Sequence, residues 1–276
     1  MKPRRGPGTW RLRGASERFE PLRVELSQAA AEARPVRGRR TLDQQDVYLK
    51  ASALRPWPAL RHAARRALGL GLPRWNELAN LAWLRAAGFR APRPLVAGVW
   101  FRRGLPRYQF LLTEWLPAPT LAEALAPGRA SAAERGAWLA ALARDLAQLH
   151  ARGFVHRDPF ARNLLALQGP EGARCAFLDA WRGGPGPGWR GPDHDLGCFL
   201  LDGGALLEPD ELARFLLSYR EESARAGRRL AARWPRRVER ARRRVLRREA
   251  GRRPGLRVEW AFPPLPMQPP DGTPLS

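Results

Sequence analysis

The stretch Phe154-Val155-His156-Arg157-Asp158-Pro159-Phe160-Ala161-Arg162-Asn163, with Cys175-Ala176-Phe177-Leu178 and Asp179 behind it, constrains the fold more than any other part of the chain. Two short apolar runs, Leu164 to Leu167 and Cys175 to Leu178, are joined by Gly169-Pro170-Glu171-Gly172. Such a turn between such runs predicts a β-hairpin. A hairpin brings its outer ends together, so Asn163 and Asp179 should fall beside Asp158. The set comprises an acid able to take a hydroxyl proton, an amide oxygen five residues on, and a second acid beyond the hairpin.

Phosphoryl transfer from Mg-ATP uses that set, because it asks the protein mainly for positioning and charge neutralisation. Other parts follow in a matching order. Asp46-Val47-Tyr48-Leu49-Lys50 alternates as a strand with Val47 and Leu49 on one face, and Lys50 is expected to end it. A Pro/Trp segment from Leu54 to Leu60 interrupts, and Arg61 to Leu68 reads as a basic helix. Pro73 to Ala87 predicts a helix stopped by Gly88, with Glu77, Leu81 and Leu84 on one face. A glutamate on an apolar stripe calls for a buried cation, and Lys50 is the candidate. Phe110 to Glu114 reads as a buried strand running into Pro117 and Pro119, an inter-lobe hinge. Ser131-Ala132-Ala133-Glu134 is a capping box, after which Trp138, Leu142, Leu146 and Leu149 mark a helix face ended by Gly153.

These parts assign roles. Asp158 would orient the acceptor hydroxyl and take its proton, while Asn163 and Asp179 would hold Mg²⁺. Lys50, fixed by Glu77, would contact the phosphates of ATP, and Gly38 and Glu114 would belong to the nucleotide site. Backbone from Arg37 to Thr41 would cover the phosphates without a G-x-G-x-x-G pattern, with charge added by Arg39 or Arg40. Asp195, in Pro192-Asp193-His194-Asp195-Leu196-Gly197, would start a helix and brace the catalytic loop, with Asp193 as its rival. His156 reads as a packing residue. Asp179 is followed by Ala180-Trp181 and not Phe-Gly, which argues against an activation-loop switch.

The expected fold is α+β and two-lobed, protein-kinase-like, with a small β-rich N-lobe and a mainly helical C-lobe. Its divisions are a flexible basic arm over 1–20, an ATP-binding N-lobe over 21–116, and a C-lobe over 117–253 carrying the catalytic loop, metal site and Arg-rich helices. A Pro-rich, disordered tail covers 254–276. Within the N-lobe, Phe19 to Ala33 has room for a strand and a short Ala-rich helix.

A net charge of +23 implies anionic company such as ATP, nucleic acid, or an acidic membrane surface and its glycolipids. Arginine dominates the basic residues, which suits bidentate phosphate contacts and equally matches a GC-rich coding bias. The Arg-rich helical stretch from Arg225 to Arg248, with Leu230, Trp234, Val238 and Val245 interspersed, could lie on such a surface. The stretches around Trp57 and Trp181 to Trp189 could stack on sugar rings. Cys175 and Cys198 sit in apolar segments and read as small buried hydrophobes of a reducing compartment. The N-terminus lacks a signal-peptide core, and no run is long enough to span a bilayer. The expected location is cytoplasmic, with peripheral membrane contact only.

From about Val36 to Tyr219 the chain resembles the lipopolysaccharide core kinases, the Kdo and heptose kinase family of Gram-negative bacteria. The resemblance is carried by Gly38-Arg39-Arg40-Thr41, Asn76-Glu77-Leu78, Gly88-Phe89-Arg90-Ala91-Pro92-Arg93-Pro94 and Phe110 to Glu114. It continues through His156-Arg157-Asp158 with Asn163, Leu178-Asp179 and Asp195-Leu196-Gly197. It implies ATP-dependent phosphorylation of a heptose or Kdo hydroxyl in the lipopolysaccharide inner core, at the cytoplasmic face of the inner membrane. The partners implied are that glycolipid and the anionic leaflet; nucleic acid is not expected. Two other readings stay open: a kinase-fold phosphotransferase for another small molecule or a protein, and a degenerate kinase-fold protein that binds anions or nucleic acid.

Overall fold

The structure, a computed structural model, describes residues 8–54, 60, 64, 71–170, 172–186, 190–202 and 206–251. The chain divides into two compact units, Met1–Pro117 and Ala118–Ser276.

The first unit is built on an antiparallel five-stranded sheet. In chain order its strands are β1 (Thr9–Gly14), β2 (Val36–Leu42), β3 (Gln45–Ala53), β4 (Pro94–Arg102) and β5 (Leu105–Glu114), and in space they run β1-β4-β5-β3-β2. Both hairpins turn through two residues of positive φ, Asp43-Gln44 and Arg103-Gly104, a backbone twist that suits right-twisted strands. Helix α1 (Arg23–Glu32) follows a 3₁₀ turn, and α2 (Pro73–Ala86) begins with proline in its first turn. Phe19, Leu26, Val47, Leu49, Tyr108, Phe110 and Leu112 form the core of this unit, sealed by a Trp10 ring 5.4 Å from Phe110.

The second unit is mainly helical. Helices α3 (Leu121–Ala124) and α4 (Ala132–Ala151) both open with capping boxes, on Thr120/Glu123 and Ser131/Glu134. Short β6 (Phe154–Val155) pairs with β9 (Gly184–Pro185), and β7 (Leu164–Gly169) with β8 (Gly172–Phe177). Helices α5 (Pro192–Asp202), α6 (Pro209–Arg225) and α7 (Trp234–Ala250) complete the unit. Gly197 lets α5 approach α7 closely, since a Cβ there would stand 2.8 Å from the backbone nitrogen of Arg242.

Four expectations change. From Thr9 onward the segment read as an arm is strand β1, paired with β4 from Thr9↔Phe101 to Gly14↔Val96; the Trp10 and Leu12 side chains pack on the core, which repays its ordering. Phe19 to Ala33 forms the 3₁₀ turn and α1, with no strand. Lys50 lies inside β3, which continues to Ala53 because Ala51 and Ser52 keep pairing with β5. Of the Arg-rich stretch from Arg225 to Arg248, Arg225 ends α6, 226–233 is not helical and the rest is α7; Trp234, Val238 and Val245 are buried, so its apolar face is used by the fold. The basic helix read over 61–68 lies largely outside the described residues, as do Trp57, Trp189 and the tail over 254–276. Among the described residues no helix is long and apolar enough to cross a membrane.

Candidate active site

In the first unit, β3 and α2 bring a cation to a buried acid. Lys50 Nζ lies 3.1 Å from Glu77 Oε1, and the Glu77 side chain is 1% exposed. Trp75, Leu81 and Leu84 on the same helix are buried, so the packing of α2 fixes where Glu77 points. Arg74, one turn earlier, donates to Glu77 Oε2. The carboxylate is therefore shared by two cations, an arrangement that an i,i+3 spacing allowed but sequence reading overlooked. Gly38 sits in β2 opposite Leu49, with φ near +146°. Because β2 is an edge strand, its outer backbone groups carry no ladder partner within the sheet. Arg39 pairs with Asp46 at 2.5 Å and Arg40 with Glu25 at 3.1 Å. Glu114 faces Arg85 at 3.2 Å and Arg93 at 3.8 Å.

The second unit brings together the residues read from the sequence as a catalytic loop. Leu178 N–H donates to the Asn163 carbonyl at 2.9 Å, so the β7–β8 hairpin places Asn163 and Asp179 at one end. Asn163 Nδ2 donates to the Asp158 carbonyl at 2.9 Å, and the same carbonyl accepts from Phe160 N–H at 2.9 Å. With its nitrogen committed, the amide of Asn163 offers an oxygen as its cation-binding atom. Asp179 adopts a left-handed backbone, φ 55°, and so does Arg157, φ 66°. Such conformations cost energy outside glycine and persist where surrounding contacts impose them, often at functional sites.

Asp195 supplies those contacts for Arg157. Its carboxylate accepts from His156 N–H at 2.7 Å and Arg157 N–H at 2.6 Å, and His150 Nε2 lies 3.1 Å away. His150 Nδ1 in turn is 2.7 Å from the Tyr219 hydroxyl, which accepts from Arg228 at 2.8 Å. The acid is fully buried. Burial works to raise its carboxyl pKa, but the bonds from His150 and His156 hold it below the ordinary carboxylate range. Asp193, the rival, pairs with Arg237 at 3.0 Å. His156 is buried against Phe177, ring centroids 5.7 Å apart, and burial lowers the pKa of its imidazole against the pull of Asp195 and Asp158.

Burial raises the carboxyl pKa of Asp158, against the pull of Arg182, whose Nη1 lies 3.5 Å from Oδ1. Arg182 is fixed in turn by Arg157 Nη1, which donates to its carbonyl at 2.9 Å, and by the β6–β9 pairing that follows it. Arg74, His150 and Arg182 were missed in the sequence; Arg74 meets Glu77 one turn along its own helix, whereas His150 and Arg182 meet Asp195 and Asp158 far along the chain.

Asn163 and Asp179 together offer hard oxygen donors at one end of a hairpin. That donor chemistry fits Mg²⁺, which takes one or two protein ligands and completes its shell with water and phosphate oxygens. Among the described residues no group of three His, Cys, Asp or Glu marks another metal centre.

A model of the Lipopolysaccharide kinase (Kdo/WaaP) family matches residues 27–197. Among solved structures, one titled WaaP in complex with acyl carrier protein aligns with a TM-score of 0.50 and 17% identity, covering 84% of this chain and 99% of that one. The likeness supports an α+β kinase-like fold, an antiparallel sheet unit followed by a helical one. No curated protein matches. With most of its length matched by that model, the chain belongs to the lipopolysaccharide kinase (Kdo/WaaP) family.

Proposed function

We propose that the protein transfers phosphate from Mg-ATP to a heptose or Kdo hydroxyl of the lipopolysaccharide inner core. Family membership gives the coarser statement, a lipopolysaccharide kinase and hence a phosphotransferase. The observation that carries the finer one is the loop bound by Asp195 at His156 and Arg157, with Asp158 next in the chain and Asn163 tied to its carbonyl.

In this reading Asp158 orients the sugar hydroxyl and accepts its proton, a contribution of about 10²–10⁴-fold in rate. Its carboxyl is suited to the task because burial makes it more basic than an exposed aspartate. Asn163 and Asp179 would hold Mg²⁺, which when bound neutralises charge on the phosphates. Lys50, kept in place by Glu77, would meet the nucleotide phosphates; the open edge of β2 at Gly38 and the backbone at Glu114 would complete the nucleotide site. The N-lobe and C-lobe assignments of 21–116 and 117–253 belong to this same proposal.

The acceptor glycolipid and the leaflet that carries it are anionic, and the outer face of α7 is a matching surface. Arg237, Arg240, Arg243, Arg244 and Arg247 line, with Asp193, an open cavity of about 490 Å³. Each such side chain near an anionic membrane gains about 1 kcal/mol. Contact there would be electrostatic and peripheral, because the apolar residues of α7 face inward.

The test is phosphate transfer from Mg-ATP to purified lipopolysaccharide lacking inner-core phosphate, read by mass spectrometry. A gain of one phosphate on a core sugar, abolished in Asp158→Asn and Asp179→Ala, is the expected result. Transfer that survives both substitutions would move the site elsewhere.

A further inference from the structure

Helix α7 lies beyond the residues that the family model matches, yet it brings a guanidinium to the catalytic loop. Arg248 Nη2 stands 3.8 Å from Asp158 Oδ1, within range of charge attraction but too far for a hydrogen bond. Its Nε donates to Glu249 Oε1 at 3.1 Å. Both terminal nitrogens, Nη1 and Nη2, are buried and meet no oxygen acceptor within hydrogen-bond distance among the described residues; the buried Cys198 thiol, a weak partner, is what the guanidinium touches there. Buried polar groups are nearly always satisfied, and leaving a charged one unpaired is costly. A planar fork left with only a thiol and a carboxylate at 3.8 Å is under-satisfied and points to an absent oxygen acceptor.

The position is imposed by the fold. Trp234, Val238, Ala241 and Val245 anchor α7, and the close approach at Gly197 sets its depth. Neighbouring arginines are placed differently: Arg162 lies over the Phe160 ring at 3.9 Å and pairs with Glu249 at 3.7 Å, while the Arg182 guanidinium lies over the Trp181 ring at 4.5 Å and shares Asp158 Oδ1 at 3.5 Å. Arg248 and Asp158 each keep 16% of the side chain open to solvent, so solvent reaches the edge of the pair while the Arg248 donor nitrogens lie just beneath it. A planar, doubly donating cation is matched by an oxyanion with two acceptor oxygens.

We propose that Arg248 is an oxyanion-binding residue of the active site, receiving a phosphoryl or carboxylate group beside Asp158. This rests on the kinase reading of that loop. The oxyanion has two sources, the phosphoryl group being transferred or an acidic group of the acceptor glycolipid.

Steady-state transfer to lipopolysaccharide separates them, using the full chain, Arg248→Gln, Arg248→Lys, and Arg214→Gln as an exposed control from α6. Arg248→Gln should lose about 10- to 100-fold in kcat/KM, the value of one charged bidentate contact, with the control within about twofold of wild type. A loss confined to the acceptor KM assigns the acceptor's acidic group; a loss in kcat at saturation assigns the phosphoryl group. Wild-type kinetics in Arg248→Gln, alongside an inactive Asp158→Asn, would overturn the proposal while the kinase reading stands. Should Arg248→Gln fail to fold by thermal unfolding, Arg248→Lys keeps the charge without the fork; a several-fold loss supports the proposal and unchanged kinetics overturns it. If the wild-type chain transfers no phosphate, the kinase reading fails, and titration with inorganic phosphate followed by ³¹P NMR decides. Loss of a saturable site in the Arg248 variant but not the Arg214 variant would retain the oxyanion site, and identical titrations would remove it.

Discussion

Glu77 and Asp195 are both acids with almost no exposure, one in each unit, and they are satisfied by different means. Glu77 is met by two side-chain cations, Lys50 and Arg74. Asp195 is met by two backbone N–H groups and an imidazole, with His150 and Tyr219 extending the chain of bonds behind it. A cation pair can be rearranged by swinging one flexible side chain. Backbone donors cannot be replaced, so Asp195 fixes the path of the main chain while Glu77 fixes only the head of a lysine. The difference fits what each partner is proposed to do, since a phosphate contact tolerates adjustment and a catalytic loop with a left-handed Arg157 does not.

The strongest way to break this comparison is Asp195→Ala. Stranding two buried N–H groups and His150 should cost about 3–5 kcal/mol in urea unfolding. A loss below about 1 kcal/mol would show that the loop holds its path without the acid.

Next is the shared carboxylate. Lys50→Met alone should cost about 1–3 kcal/mol, because Arg74 still neutralises Glu77, and the double variant Lys50→Met/Arg74→Met should cost about 3–5 kcal/mol, more than the two single costs added. Additive costs in the double-mutant cycle would show that the two cations act independently.

A third buried acid, Asp145 on α4, sharpens the contrast because neither solution serves it fully. Burial pushes its carboxyl up to about 6, with Arg144 and Arg174 pulling only partly back. Between about pH 4, where an unfolded aspartate ionises, and about 6, where this one does, the native state holds a proton that the unfolded state has released. Stability therefore falls as pH rises through that window. Asp145→Asn should be about 1–3 kcal/mol more stable than wild type at pH 7 and equal to it near pH 4. Parallel pH profiles for the two proteins would show that the carboxyl is solvated in solution.

Much of the site was legible because its signals are local. The hairpin shows in Gly169 to Gly172 between apolar runs, the delivering helix in its capping box and Gly153, and the acid–amide spacing in Asp158 and Asn163. Lys50 carries a further signal, since Lys2 and Lys50 are the only lysines in a chain whose other fixed cations are arginine. What escaped was long-range. Strand β1 read as a basic arm because its arginines masked the alternation of Trp10 and Leu12, and its partner β4 lies far along the chain.

By itself the sequence determined the helix caps, the hairpin, and the order in which Lys50, Glu77, Asp158, Asn163 and Asp179 follow one another, since each local signal depends on residues within a turn or two of one another. Only the tertiary structure decided which cations meet those acids. Arginine has the same chemistry at every position of an arginine-rich chain. Arg248 differs from Arg243 or Arg247 only because the buried Trp234–Val245 face of α7 and the absent side chain of Gly197 rotate and lower the helix until one guanidinium faces Asp158.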